Sequence, residues 1–130
     1  MARVQFNHNG GEAATESDDR KTLYFTRILR GDSGSIWRMP LAGGHEEEVA
    51  DSLYRVNYAV AKHGIYFMTA ADQSGNSMLK RYDFATGIIS TVSAMGHPEF
   101  GLDISPDGRY LVYAQLDDPA SDLMLIENFQ

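Results

Sequence analysis

The string GDSGS, from Gly31 to Ser35, is the nearest match in the chain to the surroundings of a nucleophilic serine. Nucleophilic catalysis needs a serine on a sharp turn, commonly in the pattern G-x-S-x-G, with a base held beside it. Gly, Asp and Ser are also the residues that dominate polar hairpin loops. We therefore predict a loop here, and no catalytic residue in the chain.

Four histidines, His8, His45, His63 and His97, are the candidate metal ligands. Each is single and lies near a turn glycine or proline, whereas a metal site needs ligands that cluster. The string DQSGN, at 72–76, has the residue types of a calcium loop but lacks the spacing and the closing glutamate of an EF-hand. We predict surface histidines, a solvated turn, no metal and no cofactor.

Composition narrows the choice of partners. The chain has 130 residues, 43% of them hydrophobic, and a net charge of -7 at pH 7. That length and hydrophobic content suit one packed domain. The excess of acidic residues disfavours nucleic acid and anionic membranes as binding partners. The sequence shows neither a long apolar run nor an export signal, so as written it is expected to stay in the cytoplasm. Without cysteine, the redox compartment stays undecided.

The elements that must position any site are strands. Apolar residues alternate, or run in short blocks bounded by Gly, Asp, Asn and Ser, and no stretch has sustained helical spacing. The segment from Gly43 to Val56 could be a helical turn or a strand. The predicted strands are Thr22–Ile28, Ser35–Leu41, Gly64–Thr69, Met78–Phe84, Ile88–Ser93, Tyr110–Gln115 and Leu123–Glu127.

These strands belong to a repeat. ISPDGRYLVY, at 104–113, has the same shape as ESDDRKTLYF, at 16–25, and polar loops precede strands that open with Ser35, Ser77 and Ser121. LKRYDFATG, from Leu79, matches IWRMPLAGG, from Ile36. Three four-stranded units of roughly 40 to 45 residues are typical of β-propeller blades. The fold class predicted is all-β, a propeller with three antiparallel blades per chain, at 12–53, 54–96 and 97–130.

The turn after the innermost strand explains the repeated string. In ISPDGRYLVY, Gly108 accepts a positive φ and Pro106 sets the entry to the turn. In the first copy Asp18 and Arg20 stand at the proline and glycine positions. That turn should therefore be more strained, or of another type.

The chain ends predict how the ring closes. The last copy lacks a fourth strand, and residues 1–11 supply a strand that belongs to no earlier blade. We predict that Arg3, Val4, Gln5 and Phe6 form this outer, blade-closing strand. Because propellers close with about 4 to 8 blades, two copies are expected to form a six-bladed homodimeric ring. The alternative is that the chain is a fragment of one larger propeller.

Ligand contacts are expected on the innermost strands, which line the central channel. The polar members there are Glu16, Asn57 and Asp103. Trp37 is expected to fill the gap between blades. The run from Glu46 to Glu48 is interpreted as a solvated strand edge, with an acidic docking patch as the alternative.

Four parts of the sequence carry a family resemblance: Ser105 to Leu111 with Tyr113, SDLMLIENF at 121–129, TLYFTR at 22–27 and IWRMPLAGG at 36–44. They resemble the WD40-like, TolB-type propeller repeats of bacterial proteins. Those repeats occur in periplasmic proteins, in prolyl-oligopeptidase relatives and beside winged-helix regulators. The resemblance implies a disk that binds proteins, peptides or small ligands in its channel, without chemistry of its own. A ligand-sensing segment of a longer regulator and a propeller hydrolase or lyase subunit remain the alternatives. Relatives of this kind are often periplasmic, so the compartment stays open.

Overall fold

The structure, a computed structural model, describes residues 9–117, 120–127 and 129. Within these ranges every regular element is a β-strand, and all strand pairs are antiparallel. The all-β prediction is therefore confirmed. The described part contains no helix long and apolar enough to cross a membrane.

Seven strands form the larger sheet, in chain order. They are bounded by turns rich in Gly, Asp and Asn, as the alternating pattern predicted. Their bounds are β1 Glu12–Glu16, β2 Thr22–Arg30, β3 Ser33–Pro40, β4 Glu47–Val60, β5 Gly64–Thr69, β6 Ser77–Asp83 and β7 Ile89–Met95.

Three more strands form a second sheet, in the order β10, β9, β8. Their bounds are β8 Pro98–Ile104, β9 Tyr110–Asp117 and β10 Ala120–Glu127. Within the described residues, β10 is thus an outer strand of its sheet. The seven strands expected from sequence all form, with ends that differ by up to three residues.

Strand β4 explains why the larger sheet has seven members. Its first part pairs with β3 and its last part pairs with β5, while Leu53 pairs with both. Ser52 and Arg55 take φ angles of 58° and 52°, so the strand bends at this point. The ambiguous segment before Val56 therefore ends in a strand, and residues 43–46 lie before it without regular structure.

The pairing divides the strands into three units. The first unit is β1, β2, β3 and the start of β4; the second is the end of β4 with β5, β6 and β7; the third is β8, β9 and β10. These units follow the repeat found in the sequence. The exact blade boundaries and the count of blades in a closed ring stay predictions.

Two hydrophobic clusters hold the units together. The cluster between the first two units contains Tyr24, Ile36, Leu53, Tyr58 and Phe67 among its buried members. The cluster between the last two units is built from Tyr66, Met68, Leu79, Met95, Leu111, Tyr113 and Phe129. The second unit thus presents one apolar face to the first unit and another to the third.

Candidate functional site

A cleft of about 1060 Å³ opens where the three units bring their first turns together. Each of these turns connects the innermost strand of a unit to the next strand. They contribute Asp18 from the first unit, Lys62 and His63 from the second, and Asp107 from the third. The repeat therefore places three equivalent loops around one cavity.

The first and third turns have the same hydrogen bonds. The Ser17 hydroxyl lies 2.6 Å from the Asp19 carboxylate, and the amide of Lys21 donates to both side chains. In the third turn Ser105 and Asp107 lie 2.6 Å apart, and the amide of Arg109 donates to both. The serine hydroxyl bond in particular lowers the pKa of Asp19 and of Asp107.

Arg20 has the conformation that Gly108 has in the third turn. Its φ is 60°, and that of Gly108 is 72°. The first turn is thus strained, as expected, but it is the same type of turn. A side chain with a Cβ is costly in this region, whereas glycine is not.

The middle turn is shorter and brings a lysine to the cleft where the other two turns bring an aspartate. The amide of Ala61 donates to the Gly64 carbonyl across the turn, at 2.8 Å. Ala61 thus stands at the position of Ser17 and Ser105, and Lys62 and His63 form the rest of the turn. The three turns therefore contribute Asp18, Lys62 and Asp107 to the lining of the cleft.

Tyr66, Arg81 and Phe129 also line the cleft. The Phe129 ring meets the Tyr66 ring edge to face, with centroids 4.9 Å apart. Arg81 donates from Nε to the Tyr66 hydroxyl at 3.2 Å and pairs with Asp83 at 2.9 Å. The hydrogen bond to Asp83 is the main cause that raises the pKa of Arg81, and the same hydrogen bond is the main cause that lowers the pKa of Asp83. The guanidinium is thus held in one orientation beside the Tyr66 ring, 5.9 Å from its centroid.

The structure brings two of the three predicted contact residues to this cleft. Glu16, at the end of β1, and Asp103, in β8, both line it. The Asp103 carboxylate accepts a bond from the amide of Ile104 at 2.8 Å. Their role as ligand contacts stays a prediction.

Asn57 lies elsewhere. It is 1% exposed and joins two units: its Nδ2 donates to the Glu99 carbonyl at 2.7 Å, and its Oδ1 accepts from the Gly101 amide at 3.1 Å. These bonds use both ends of its amide in holding β8 against β4. The predicted outer strand, Arg3 to Phe6, lies outside the described residues.

The candidates in the GDSG string and in the acidic run pair with other residues of the chain. Asp32 of the GDSG string pairs with Arg55 at 2.7 Å, and Ser35 is fully buried, accepting a bond from the Trp37 indole at 2.7 Å. In the acidic run, Glu46 pairs with Arg27 and Glu47 with Arg38. No group of three or more His, Asp or Glu side chains suited to a metal ion occurs in the described part of the chain.

Sequence reasoning did not find Tyr66, Arg81 or Phe129 as cleft residues. A signal was present, because Arg81 matches Arg38 in the repeated strings IWRMPLAGG and LKRYDFATG. Position in a strand alone does not say whether such an arginine faces a cavity or a neighbouring unit. Only the packing of the third unit on the second settles that point.

Solved structures provide the comparison with known proteins. No protein-family model and no curated protein matches the sequence. The chain is similar to TolB from Acinetobacter baumannii, with a TM-score of 0.71 and 12% identity over 89% of this chain and 29% of that one. The chain has a β-propeller fold.

Two further likenesses agree with this fold. A putative TolB from Agrobacterium tumefaciens matches with a TM-score of 0.67 and 17% identity, over 86% of this chain and 40% of that one. The β-propeller domain of the Trilobed protease from Pyrococcus furiosus, which has an open velcro topology, matches with a TM-score of 0.63 and 12% identity, over 91% and 40% of the two chains. The chain thus spans well under half the length of these proteins, and the resemblance to TolB-type propellers is confirmed at the level of the fold.

Proposed function

We propose that the chain is a non-enzymatic β-propeller module that binds a partner in the cleft and is completed to a ring by further blades. The observation that carries the proposal is the convergence of three equivalent turns on one cavity of about 1060 Å³. Loops held by a rigid scaffold at the end of a sheet are common places for binding residues. This chain covers only 40% of the length of two similar propeller proteins, which supports a ring that includes further blades.

The charges at the cleft favour a cationic peptide segment as the ligand. Glu16, Asp18, Asp103 and Asp107 line the cavity, against the fixed cations Lys62 and Arg81. Arg81 is partly neutralised by Asp83, which leaves the acidic side dominant. A basic side chain could enter this field while its aliphatic stem contacts Tyr66 or Val60.

The bonding in the cleft supports binding rather than catalysis. Asp107 holds its own turn together, and Arg81 is fixed by Asp83 and Tyr66. A general base or nucleophile needs its reactive atoms directed at a substrate. The reactive atoms of Asp107 and Arg81 are used in this way, which favours electrostatic attraction and shape as the means of recognition in this cleft.

Nuclear magnetic resonance would test the proposal. A tripeptide with a central lysine is titrated into the isotope-labelled chain, and one with a central glutamate serves as the matched probe. We expect the lysine probe to shift the amides of residues 61–64, 104, 105, 107 and 108. Asp103→Asn or Glu16→Gln should weaken it about threefold each, while Glu48→Gln, an exposed carboxylate elsewhere, should not. Equal shifts from both probes, or none at these amides, would contradict the proposed site.

A second candidate function is that of a propeller segment within a larger peptidase. Its support is the likeness to the propeller domain of the Trilobed protease. In that case too, this chain alone should not cleave peptides. Release of p-nitroaniline from a peptide substrate by the purified chain, abolished in Ser33→Ala, would overturn the non-enzymatic proposal.

A further inference from the structure

The sequence contains one Asn-Gly step, at Asn9 and Gly10, shortly before β1. Both residues are exposed, and Gly10 has a φ of 83° with open space where a Cβ would stand. Asparagine is among the chemically labile residues of proteins. It is most labile before glycine, because no Cβ hinders attack of the following backbone nitrogen on its side chain. The step therefore has the residue types and the exposure of a deamidation site.

The same two residues fasten the segment before β1 to the first unit. The Gly10 carbonyl accepts a bond from Arg27 Nε at 3.1 Å, and Asn9 Nδ2 donates to Glu46 Oε2 at 3.5 Å. Glu46 in turn forms an ion pair with Arg27. We call Asn9, Gly10 and Gly11 the latch, because their contacts converge on this one ion pair and on the ring beneath it.

The latch covers an aromatic face of the first unit. A Cβ on Gly11 would lie 2.8 Å from the Phe25 ring, so the backbone there rests directly on that ring. The Arg27 guanidinium lies over the rings of Phe25 and Trp37, 5.1 Å and 4.5 Å from their centroids. Phe25 is 3% exposed, and the Arg27 and Glu46 side chains are 14% and 13% exposed. Loss of the latch would therefore open this stack of rings and charges to water.

Side chains with comparable chemistry elsewhere are held more firmly. Asp107, also followed by glycine, accepts bonds from the Ser105 hydroxyl at 2.6 Å and from the Arg109 amide at 3.1 Å. Asn57 is 1% exposed, and both ends of its amide are bonded. The Asn9 bond, at 3.5 Å, is longer than the usual N–H to oxygen range of about 2.7 to 3.2 Å. Of these three side chains, that of Asn9 is the least restrained.

We propose that Asn9 is a deamidation site and that its reaction releases the latch from the first unit. The backbone nitrogen of Gly10 attacks Cγ of Asn9, the Cγ–Nδ2 bond breaks, and ammonia leaves with the proton of the attacking nitrogen. Water then opens the resulting succinimide ring at either of its carbonyl carbons. The products are aspartate and isoaspartate at position 9. The net reaction consumes water and releases ammonia, without an oxidant or reductant.

Both products weaken the hold of the latch. A carboxylate at position 9 cannot donate to Glu46, and it repels that carboxylate at a place where the Glu46 side chain is largely shielded from solvent. Isoaspartate also adds a methylene group to the backbone, which displaces the Gly10 carbonyl from Arg27. Deamidation thus converts an attraction between the latch and the first unit into a repulsion. This inference does not depend on the ligand of the cleft.

Tandem mass spectrometry tests the modification after the folded chain has been kept in mildly alkaline buffer and digested with trypsin. The peptide of residues 4–20 contains Asn9 and also Asn7, which precedes histidine and serves as the internal comparison. We expect the amide to be replaced by an acid at Asn9 first, with an isoaspartate fraction that an isoaspartyl methyltransferase labels. Gly10→Ala should slow the reaction about tenfold, because its Cβ hinders the attack. Equal rates at Asn7 and Asn9, or an unchanged rate in Gly10→Ala, would overturn the assignment of the site.

Fluorescence of Trp37, the single tryptophan of the chain, tests the release of the latch. We expect the deamidated chain and Asn9→Asp both to shift its emission to longer wavelength, since water reaches the ring once Arg27 is freed. Asn76→Asp is the matched control, because it makes the same change of charge at an exposed asparagine in the loop before β6. Circular dichroism checks that each variant stays folded. Identical emission spectra for Asn9→Asp and Asn76→Asp would overturn the release of the latch.

Discussion

Arg20 is a residue whose type conflicts with its backbone conformation. It takes a φ of 60° in a turn whose other copy uses Gly108, and its side chain is exposed. We expect Arg20→Gly to raise the free energy of unfolding by about 0.5 to 1 kcal/mol, because the left-handed strain of a Cβ is larger than the added chain entropy of glycine. Urea unfolding at pH 7 measures the change.

The third turn offers the matched reverse substitution. Gly108→Ala should lower the free energy of unfolding by about 1 kcal/mol, since alanine would face the strain that Arg20 already has. Equal and negligible effects at both sites would show that the two turns do not share the conformation that their hydrogen bonds indicate.

Tyr58 connects stability to alkaline pH. Burial raises its pKa to about 12, from an ordinary 10.0, and its hydroxyl lies within hydrogen-bond reach of the Ala13 and Tyr24 carbonyl oxygens. The folded state therefore keeps this proton after the unfolded chain has lost it. The corresponding stabilisation is complete below pH 10 and is lost as pH rises from about 10 to about 12.

The expected size follows from the two pKa values. A difference of about 2 units corresponds to about 2.7 kcal/mol at most. We expect the urea concentration at the unfolding midpoint to decrease in the wild type as the pH rises from about 10 to about 12. It should decrease less in Tyr58→Phe, which has no proton to lose there. An identical decline in both proteins would assign the effect to other tyrosines.

At the scale of the strand, Gly64 allows β5 to pair closely with β6. A Cβ at this position would clash with the backbone carbonyl oxygen of Tyr82, which belongs to the partner strand. We expect Gly64→Ala to lower the free energy of unfolding by about 2 kcal/mol, because backbone on both sides must move. Thermal unfolding with Gly96→Ala as control checks this.

Gly96 suits that comparison because a Cβ there would make ordinary van der Waals contacts and no clash. A Cβ there would meet only the side chain of Gln115, at 3.7 Å or more. The control should change the free energy of unfolding by less than about 0.5 kcal/mol. If both substitutions cost the same, the effect would come from glycine itself and not from the spacing between β5 and β6.

The strands and first turns could be predicted from sequence because their signals are local. Alternating apolar residues and turn residues such as Asp107 and Gly108 act over a few positions. The continuous run of β4 through Leu53 could not, since it depends on Leu53 being packed between β3 and β5. That burial is a property of the assembled sheet.

The sequence also predicted part of the candidate site. The repeat placed Glu16 and Asp103 near strand ends that converge, and the structure puts both at the cleft. Asn57 has the same kind of position, but its side chain points between units, toward Glu99 and Gly101. Periodicity gives the strand and the position, whereas the face that a side chain presents depends on a neighbour more than 40 residues away.

At the scale of the whole molecule, net charge opposes the homodimer that the sequence predicts, whereas the exposed leucines of β10 favour it. Each chain has a net charge of -7 at pH 7, so two copies repel each other over distances that salt controls. The Debye length falls from about 30 Å at 0.01 M salt to about 8 Å at 0.15 M. The exposed side chains of Leu123 and Leu125 on β10 are aliphatic, and screening should leave a contact made through them unchanged.

We therefore expect the dimer to tighten as salt is added. Raising sodium chloride from about 10 mM to 150 mM should lower the dissociation constant by about tenfold, from the loss of long-range repulsion between the two acidic copies. Sedimentation equilibrium at both salt concentrations measures it, with Leu125→Asp as the variant that stays monomeric throughout. A dissociation constant that rises with salt would mean that ion pairs hold the copies together, and it would contradict an apolar interface through Leu123 and Leu125.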